Sequence, residues 1–165
     1  MDTTILIFVC TAPYDGQAIE DNAVKNVMDL GTHLRQKEDL PERIFTSTDQ
    51  AAIQTGILLG IGFSWNFQEE IPRTPFPESP LDVSDPLVPK MEYERFFKGA
   101  LRSYKGQTLV FVCDKVRIRD VLRVFRQPDL SESWVQFVFP AFVFTFGYHG
   151  ELKEVRLEGL LKDSS

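Results

Sequence analysis

The chain has 165 residues, so we expect residues 1–165 to form a single domain with its own hydrophobic core. A hydrophobic content of 43% and a charged content of 25% are typical of a globular protein, and the net charge of −6 argues against nucleic acid as a partner. No apolar run reaches the ~20 residues that span a membrane, and the N-terminus lacks the pattern of a signal peptide, which predicts an intracellular protein.

Apolar periodicity predicts strands and helices that alternate along most of the chain. In chain order, it predicts a strand at 3–10, a helix at 18–36, a strand at 44–46, a helix capped by Thr48 or Asp49, a helix at 91–104, a strand at 108–113 and a helix at 116–125. A strand pair, or one strand bent at Pro140, follows at 137–146, and a last strand follows at 152–157. This order predicts a three-layer α/β/α sandwich around a mostly parallel sheet, closed by a terminal hairpin.

Two further features concern loops and thiols. Six prolines between residues 71 and 89 forbid a helix there and predict a long extended surface loop. Both cysteines, Cys10 and Cys113, lie in predicted buried strands, which favours reduced core thiols over a disulfide framework. Two thiols without histidine partners make a poor zinc site, so we expect no metal or other cofactor.

Three strand-to-loop corners resemble those of the histidine phosphatases, the phosphoglycerate-mutase-like superfamily. Phe8–Ala12 stands where that superfamily carries L-V-R-H-G, Arg43–Gly56 resembles its S-S-x-x-x-R-A corner, and Leu109–Leu122 resembles its H-x-x-x-I-R corner. Within the superfamily, the chain is most similar to the mitochondrial phosphoglycerate-mutase-like Ser/Thr protein phosphatases, on residues that include Thr74-Pro75, Ala100-Leu101-Arg102-Ser103-Tyr104 and His149-Gly150. The resemblance implies a phosphoglycerate-mutase-like fold.

The resemblance also implies that the catalytic residues have been replaced. In this superfamily one histidine attacks phosphorus, two arginines and a second histidine hold the phosphoryl oxygens, and an acid protonates the leaving group. The matching positions here are Cys10 for the first arginine, Thr11 for the nucleophile, Ala51 for the second arginine, Asp114 for the second histidine and Pro72 near the acid. Without a nucleophile or positive charge, no covalent phosphoryl transfer is expected, so the resemblance implies a pseudophosphatase rather than an enzyme.

A rival interpretation is a residual phosphatase or phosphate-ester-binding protein. Cys113 to Arg119 satisfies C-x5-R, the spacing of cysteine-dependent phosphatases, after a strand and before a helix. However, this loop has no glycine to turn its backbone N–H groups inward. It also carries Asp114 and Asp120 near the place where a phosphate would bind.

Two sets of residues are candidates for contacts with a partner. Phe142, Phe144 and Phe146 alternate with Val143 and Thr145, and most of them should be core if the strand is central and buried on both faces. At a sheet edge the same strand would need covering, which makes association with a second copy or with another protein's strand the alternative hypothesis. Arg119, Arg123 and Arg126 share a helix face at three- and four-residue spacing, a solvated face or an acidic partner's site. We therefore expect an interaction or scaffold subunit in the cytoplasm or nucleus, with a mitochondrial location left open.

Overall fold

The computed structural model describes residues 3–37, 41–47, 49–63, 90–127, 129–130 and 136–161. The loop predicted at 71–89, which includes Pro72 and Thr74-Pro75, lies outside these residues, and so does Thr48.

Strands and helices follow in the predicted order. They are β1 (Thr4–Cys10), α1 (Asp21–Lys37), β2 (Arg43–Thr46), α2 (Gln50–Gly62), α3 (Lys90–Ser103), β3 (Thr108–Cys113), α4 (Lys115–Val124), β4 (Phe137–Phe146) and β5 (Leu152–Leu161). Every helix and strand predicted within the described residues is present, with bounds that shift by a few residues. The prediction of a phosphoglycerate-mutase-like α/β fold is confirmed.

The five strands form one sheet in the order β2-β3-β1-β4-β5. β1 and β2 both run parallel to β3, whereas β4 runs antiparallel to β1 and to β5. β5 therefore runs in the same direction as β1, β2 and β3, which confirms the predicted α/β fold with a mostly parallel sheet. The sheet is nevertheless mixed, with β4 alone running against the other four strands. The reason is that the terminal hairpin adds β4 and β5 to one side without a crossover helix.

β4 is one strand that continues through Pro140, with a register shift between Phe137 and Phe139. The last β4 residue that pairs with β1 is Ala141, so the missing N–H of Pro140 breaks no bond to β1. On its other side Pro140 pairs with Gly159, where φ is +141°. A Cβ at Gly159 would lie 2.7 Å from the carbonyl oxygen of Phe139, so this close approach requires glycine.

An aromatic core lies between the sheet and the layer formed by α3 and α4. The ring of Phe8 stands at its centre, 5.3–5.5 Å from the rings of Phe97, Phe111 and Phe144. These distances fall in the favourable range for stacked and edge-to-face pairs. The opposite face of the sheet is largely aliphatic and packs against α1 and α2 through residues that include Ile7, Val9, Val27, Leu30, Ile44, Leu59, Val110 and Val143.

Phe142, Phe144 and Phe146 belong to the aromatic core and are at most 2% exposed. β4 is an inner strand, flanked by β1 and β5, so these side chains form no sheet edge. The alternative hypothesis that they form an association surface is wrong. Aromatic residues are favoured both on a buried inner strand and on an edge strand that binds a partner. The position of β4 in the strand order is what distinguishes these two cases.

α1 and α2 approach each other closely at Gly31 and Gly62. A Cβ on Gly31 would lie 2.6 Å from the carbonyl oxygen of Leu59 and 3.0 Å from the Cα of Gly62. The same addition at Gly62 would meet the carbonyl oxygen of Met28. Only glycine allows this backbone contact, which fixes how the helix following β1 sits against the helix following β2.

α1 is also tied to the outer strand β5 by a polar contact. His33 Nε2 lies 2.9 Å from Glu158 Oε2, and Arg156 Nε donates to the second oxygen of Glu158 at 2.8 Å. Burial alone would raise the pKa of Glu158, but the hydrogen bonds from His33 and Arg156 outweigh it and the pKa is lowered.

Among the helices of the described residues, none is long and apolar enough to cross a membrane.

Candidate functional site

The parallel strands β1, β2 and β3 end at the same edge of the sheet, where open α/β folds place their sites. Cys10 and Cys113 are register partners at the ends of β1 and β3, and the N–H of Thr11 donates to the carbonyl of Cys113 at 3.0 Å. Asp114 follows Cys113 directly. The structure thus brings together three of the predicted positions, Cys10, Thr11 and Asp114.

Ala51 joins this edge through a neighbour that sequence reasoning missed. The hydroxyl of Thr55, one turn further along α2, donates to the carbonyl of Ala51 at 2.7 Å and accepts from the N–H of Ala12 at 3.0 Å. All three residues are buried. Thr55 therefore links the loop after β1 to the start of α2 and supplies an acceptor for the buried N–H of Ala12.

Asp114 has a structural task at this edge. It is the N-cap of α4, and its Oδ1 accepts from the N–H of Arg117 at 2.9 Å. A helix start binds anions through its free N–H groups, and here the carboxylate satisfies one of them within the chain. Asp49 holds the corresponding position before α2, but its side chain makes no capping hydrogen bond, so the predicted cap is absent at that residue.

The two thiols at this edge are poor nucleophiles. Burial raises the pKa of Cys10 to about 11, although Lys115 opposes the shift and Asp114 adds to it. Cys113 is fully buried in the aromatic core, and burial raises its pKa well above the ordinary value. Because the thiolate is the reactive form, burial lowers the reactivity of both thiols. Arg119 is exposed, so the geometry gives no support to a Cys113–Arg119 phosphate cradle.

Arg117, three residues after Asp114, is a buried cation. The sequence pattern did not predict its burial. Its Nη1 donates to the hydroxyl of Tyr93 at 3.3 Å and lies 3.6 Å from Asp120 Oδ2, and the Tyr93 hydroxyl donates to the same oxygen at 2.8 Å. Burial raises the pKa of Tyr93 well above its usual value. Arg117 thus connects α4 to α3 through the hydroxyl of Tyr93.

Arg119, Arg123 and Arg126 do not form the continuous helix face that their spacing predicted. All three are exposed, but α4 ends at Val124, and Arg126 adopts a left-handed conformation with a φ of +59°. Arg123 lies 3.9 Å from Asp120 and is 74% exposed. The expected face is therefore wrong at Arg126, because helical spacing beyond a helix end carries no geometric meaning.

Among the residues that the structure describes, no three His, Cys, Asp or Glu side chains are grouped as metal ligands. The two histidines of the chain lie away from the ends of β1 and β3. His33 contacts β5, two strands from β1, and His149 lies in the β4–β5 turn at the opposite edge of the sheet.

Solved structures share this arrangement of strands and helices. A phosphoserine phosphatase from Entamoeba histolytica, in complex with 3-phosphoglyceric acid, matches with a TM-score of 0.62 at 12% identity, over 98% of this chain and 98% of its own. A phosphoglycerate mutase from Plasmodium falciparum matches with a TM-score of 0.60 at 13% identity, over 99% and 96% of the two chains. YhfR from Bacillus stearothermophilus matches with a TM-score of 0.61 at 14% identity, over 96% and 98%.

The sequence matches no protein-family model and no curated protein. At such identities the structural likeness shows the fold alone. The protein has the phosphoglycerate-mutase-like fold.

Proposed function

We propose that this protein is a catalytically inactive member of the histidine phosphatases that works as a protein-interaction or scaffold subunit. The observation that carries the proposal is the set of side chains at the carboxyl edge. Cys10, Thr11, Ala51 and Asp114 stand at the positions that the resemblance assigns to phosphate binding and attack, and they supply no imidazole and no guanidinium.

Electrostatics support the loss of phosphate binding. Phosphoryl transfer needs positive groups aimed at the phosphoryl oxygens, and each removed donor costs on the order of 3–4 kcal/mol of transition-state stabilisation. At this edge the N–H groups of Thr11, Ala12 and Arg117 bind acceptors within the chain. The carboxylate of Asp114 adds repulsion for an anion.

Among the histidine phosphatases, we place the chain nearest to the phosphoglycerate-mutase-like Ser/Thr protein phosphatases. The support is the sequence resemblance at Ala100–Tyr104 and at His149-Gly150. Ala100 is buried at the C-terminal half of α3, and His149-Gly150 forms the turn between β4 and β5. Residues at these positions determine packing and the shape of a turn. Their similarity therefore supports a common ancestor and gives no support to retained activity.

Phosphatase assays test the inactive half of the proposal. The purified chain is incubated with p-nitrophenyl phosphate and with phosphoserine, phosphothreonine and phosphotyrosine peptides, beside a mock purification. We expect rates equal to the mock and no binding of vanadate or tungstate by calorimetry. A rate above the mock that falls in Thr11→Val or in Cys113→Ser would contradict the proposal, as would an oxyanion bound at this edge.

The interaction half is tested by the oligomeric state and by defined complexes. We expect either a homodimer in light scattering or a stoichiometric complex after native purification, whose contacts can be mapped by cross-linking. A protein that is monomeric and forms no such complex would remove this half of the proposal.

A further inference from the structure

A groove of about 590 Å³ lies on the outer side of the aromatic core, away from the carboxyl edge. α3 forms one wall, the end of α4 forms the base, and the β4–β5 hairpin forms the other wall. Its lining includes Met91, Leu101, Val124, Phe125, Gly150 and Leu152.

Large apolar side chains are unusually exposed here. Met91 is 68% exposed, Leu152 is 36% exposed, and Tyr148 of the adjacent hairpin turn is 53% exposed. Scattered apolar residues are ordinary at a protein surface, but several around one concave site mark a binding surface. Methionine is also a side chain that adapts its shape to a partner.

A strip of cations runs along the same wall. Arg95, Lys98 and Arg102 follow one another at three- and four-residue spacing on α3, so they share a face, and all three are exposed. Lys105 follows the end of the helix and holds its ammonium 3.3 Å from the centroid of the Tyr148 ring.

These cations lack acidic partners in the part of the chain that the structure describes. No carboxylate there forms an ion pair with Arg95, Lys98 or Arg102, whereas Glu94 of the same wall is 3.6 Å from Lys90. The protein as a whole carries a net charge of −6. Among the described residues, this strip is therefore a local positive patch beside an apolar groove on a protein whose net charge is negative.

We infer that this groove binds an acidic amphipathic peptide segment of a partner protein. Large apolar side chains of the segment occupy the space between Met91, Phe125 and Leu152, and its carboxylates face Arg95, Lys98 and Arg102. A nucleic acid or an anionic membrane is a poorer occupant, because a polyanion leaves the apolar surface uncovered and is repelled by the remaining negative charge. The inference rests on the proposed interaction role and adds its surface and the chemistry of its partner.

The test selects peptides from a random library displayed on phage, panned on the full chain, and measures the enriched peptides by fluorescence anisotropy. We expect enrichment of peptides that combine Asp or Glu with large apolar residues at helical spacing. In the double variant Arg95→Glu/Lys98→Glu, binding should weaken by at least about tenfold, because each change replaces an attraction with a repulsion. Met91→Ser should weaken binding of the same peptides through the apolar contact.

The matched control is Arg35→Glu/Lys37→Glu on α1, which makes the same charge change on the opposite face of the sheet. We expect it to leave binding unchanged. Enriched peptides without acidic residues, or equal losses in both double variants, would overturn the inference. Binding of polyphosphate or of phosphatidylserine vesicles that is lost in the α3 double variant, with no peptide bound, would also overturn it.

The outcomes separate this inference from the proposed function. A partner bound at another surface would remove the groove assignment and leave the interaction role intact. Phosphatase turnover that depends on Thr11 or Cys113 would remove the inactive half of the proposed function, whatever the peptides do.

Discussion

Thr55→Val tests whether the buried hydroxyl between β1 and α2 holds the carboxyl edge together. Valine has nearly the same shape, so the change removes the hydrogen bonds without leaving a large cavity. The N–H of Ala12, buried at 3% exposure, then loses its acceptor at 3.0 Å. An unsatisfied buried N–H costs about 1–3 kcal/mol. The carbonyl of Ala51 remains within the helix, so losing the hydroxyl as its second donor adds little. We therefore expect the free energy of unfolding to fall by about 2 kcal/mol in total.

Urea and thermal unfolding measure this effect. For a chain of this length, a loss of about 2 kcal/mol lowers Tm by roughly 4–8 °C, and the dependence on urea should keep its slope. The matched control is Thr3→Val, which makes the same chemical change at an exposed residue just before β1 and should stay within about 0.5 kcal/mol of the parent. Equal stabilities of the two variants would refute the assignment of Thr55 as the fastener of this edge.

Three further outcomes are expected. Gly62→Ala should destabilise the fold by more than about 1 kcal/mol in urea, because its Cβ would meet the backbone of α1. Gly99→Ala, where the added Cβ meets no atom within 4 Å, should be neutral or stabilising, and equal effects would contradict the close helix contact. Glu158→Gln should lower stability at neutral pH. Since the folded pKa of Glu158 is lowered, the difference from the parent should shrink as pH falls below about 4, and a constant difference would exclude the ion pair as its source. Iodoacetamide should label Cys10 and Cys113 much more slowly in the folded chain than in urea, and rapid labelling of folded Cys113 would contradict its burial.

Most of the fold could be predicted from apolar periodicity, because each helix and strand buries one or both of its faces. The direction of the added strands was less accessible. β4 reads as a buried strand in either orientation, and its place between β1 and β5 depends on a short turn at Tyr148-His149-Gly150. Pro140 argued for an interruption, but it lies past the end of the pairing with β1, and Gly159 opposite makes room for it.

The sequence could predict the parts of the site that follow the ends of neighbouring strands. It could not predict the contacts that side chains make from one helix or loop to another. Cys10, Thr11 and Asp114 follow neighbouring parallel strands, so the sequence could place them at one edge. The partners of Thr55 and of Arg117 depend on how α2 and α4 pack, and no spacing in the sequence specifies that. The groove beside α3 was missed for the same reason, since its second wall comes from the β4–β5 hairpin.

The ring cluster around Phe8 has a consequence for how this sequence can change over time. The ring contacts of Phe8 with Phe97, Phe111 and Phe144 do not involve Thr11 and Asp114, which follow the ends of β1 and β3. Mutations at Thr11 and Asp114, which are half-buried and exposed respectively, can therefore alter chemistry at a smaller cost in folding free energy than mutations within the ring cluster. Architecture and activity are in this way separable traits, each free to follow its own selective pressure.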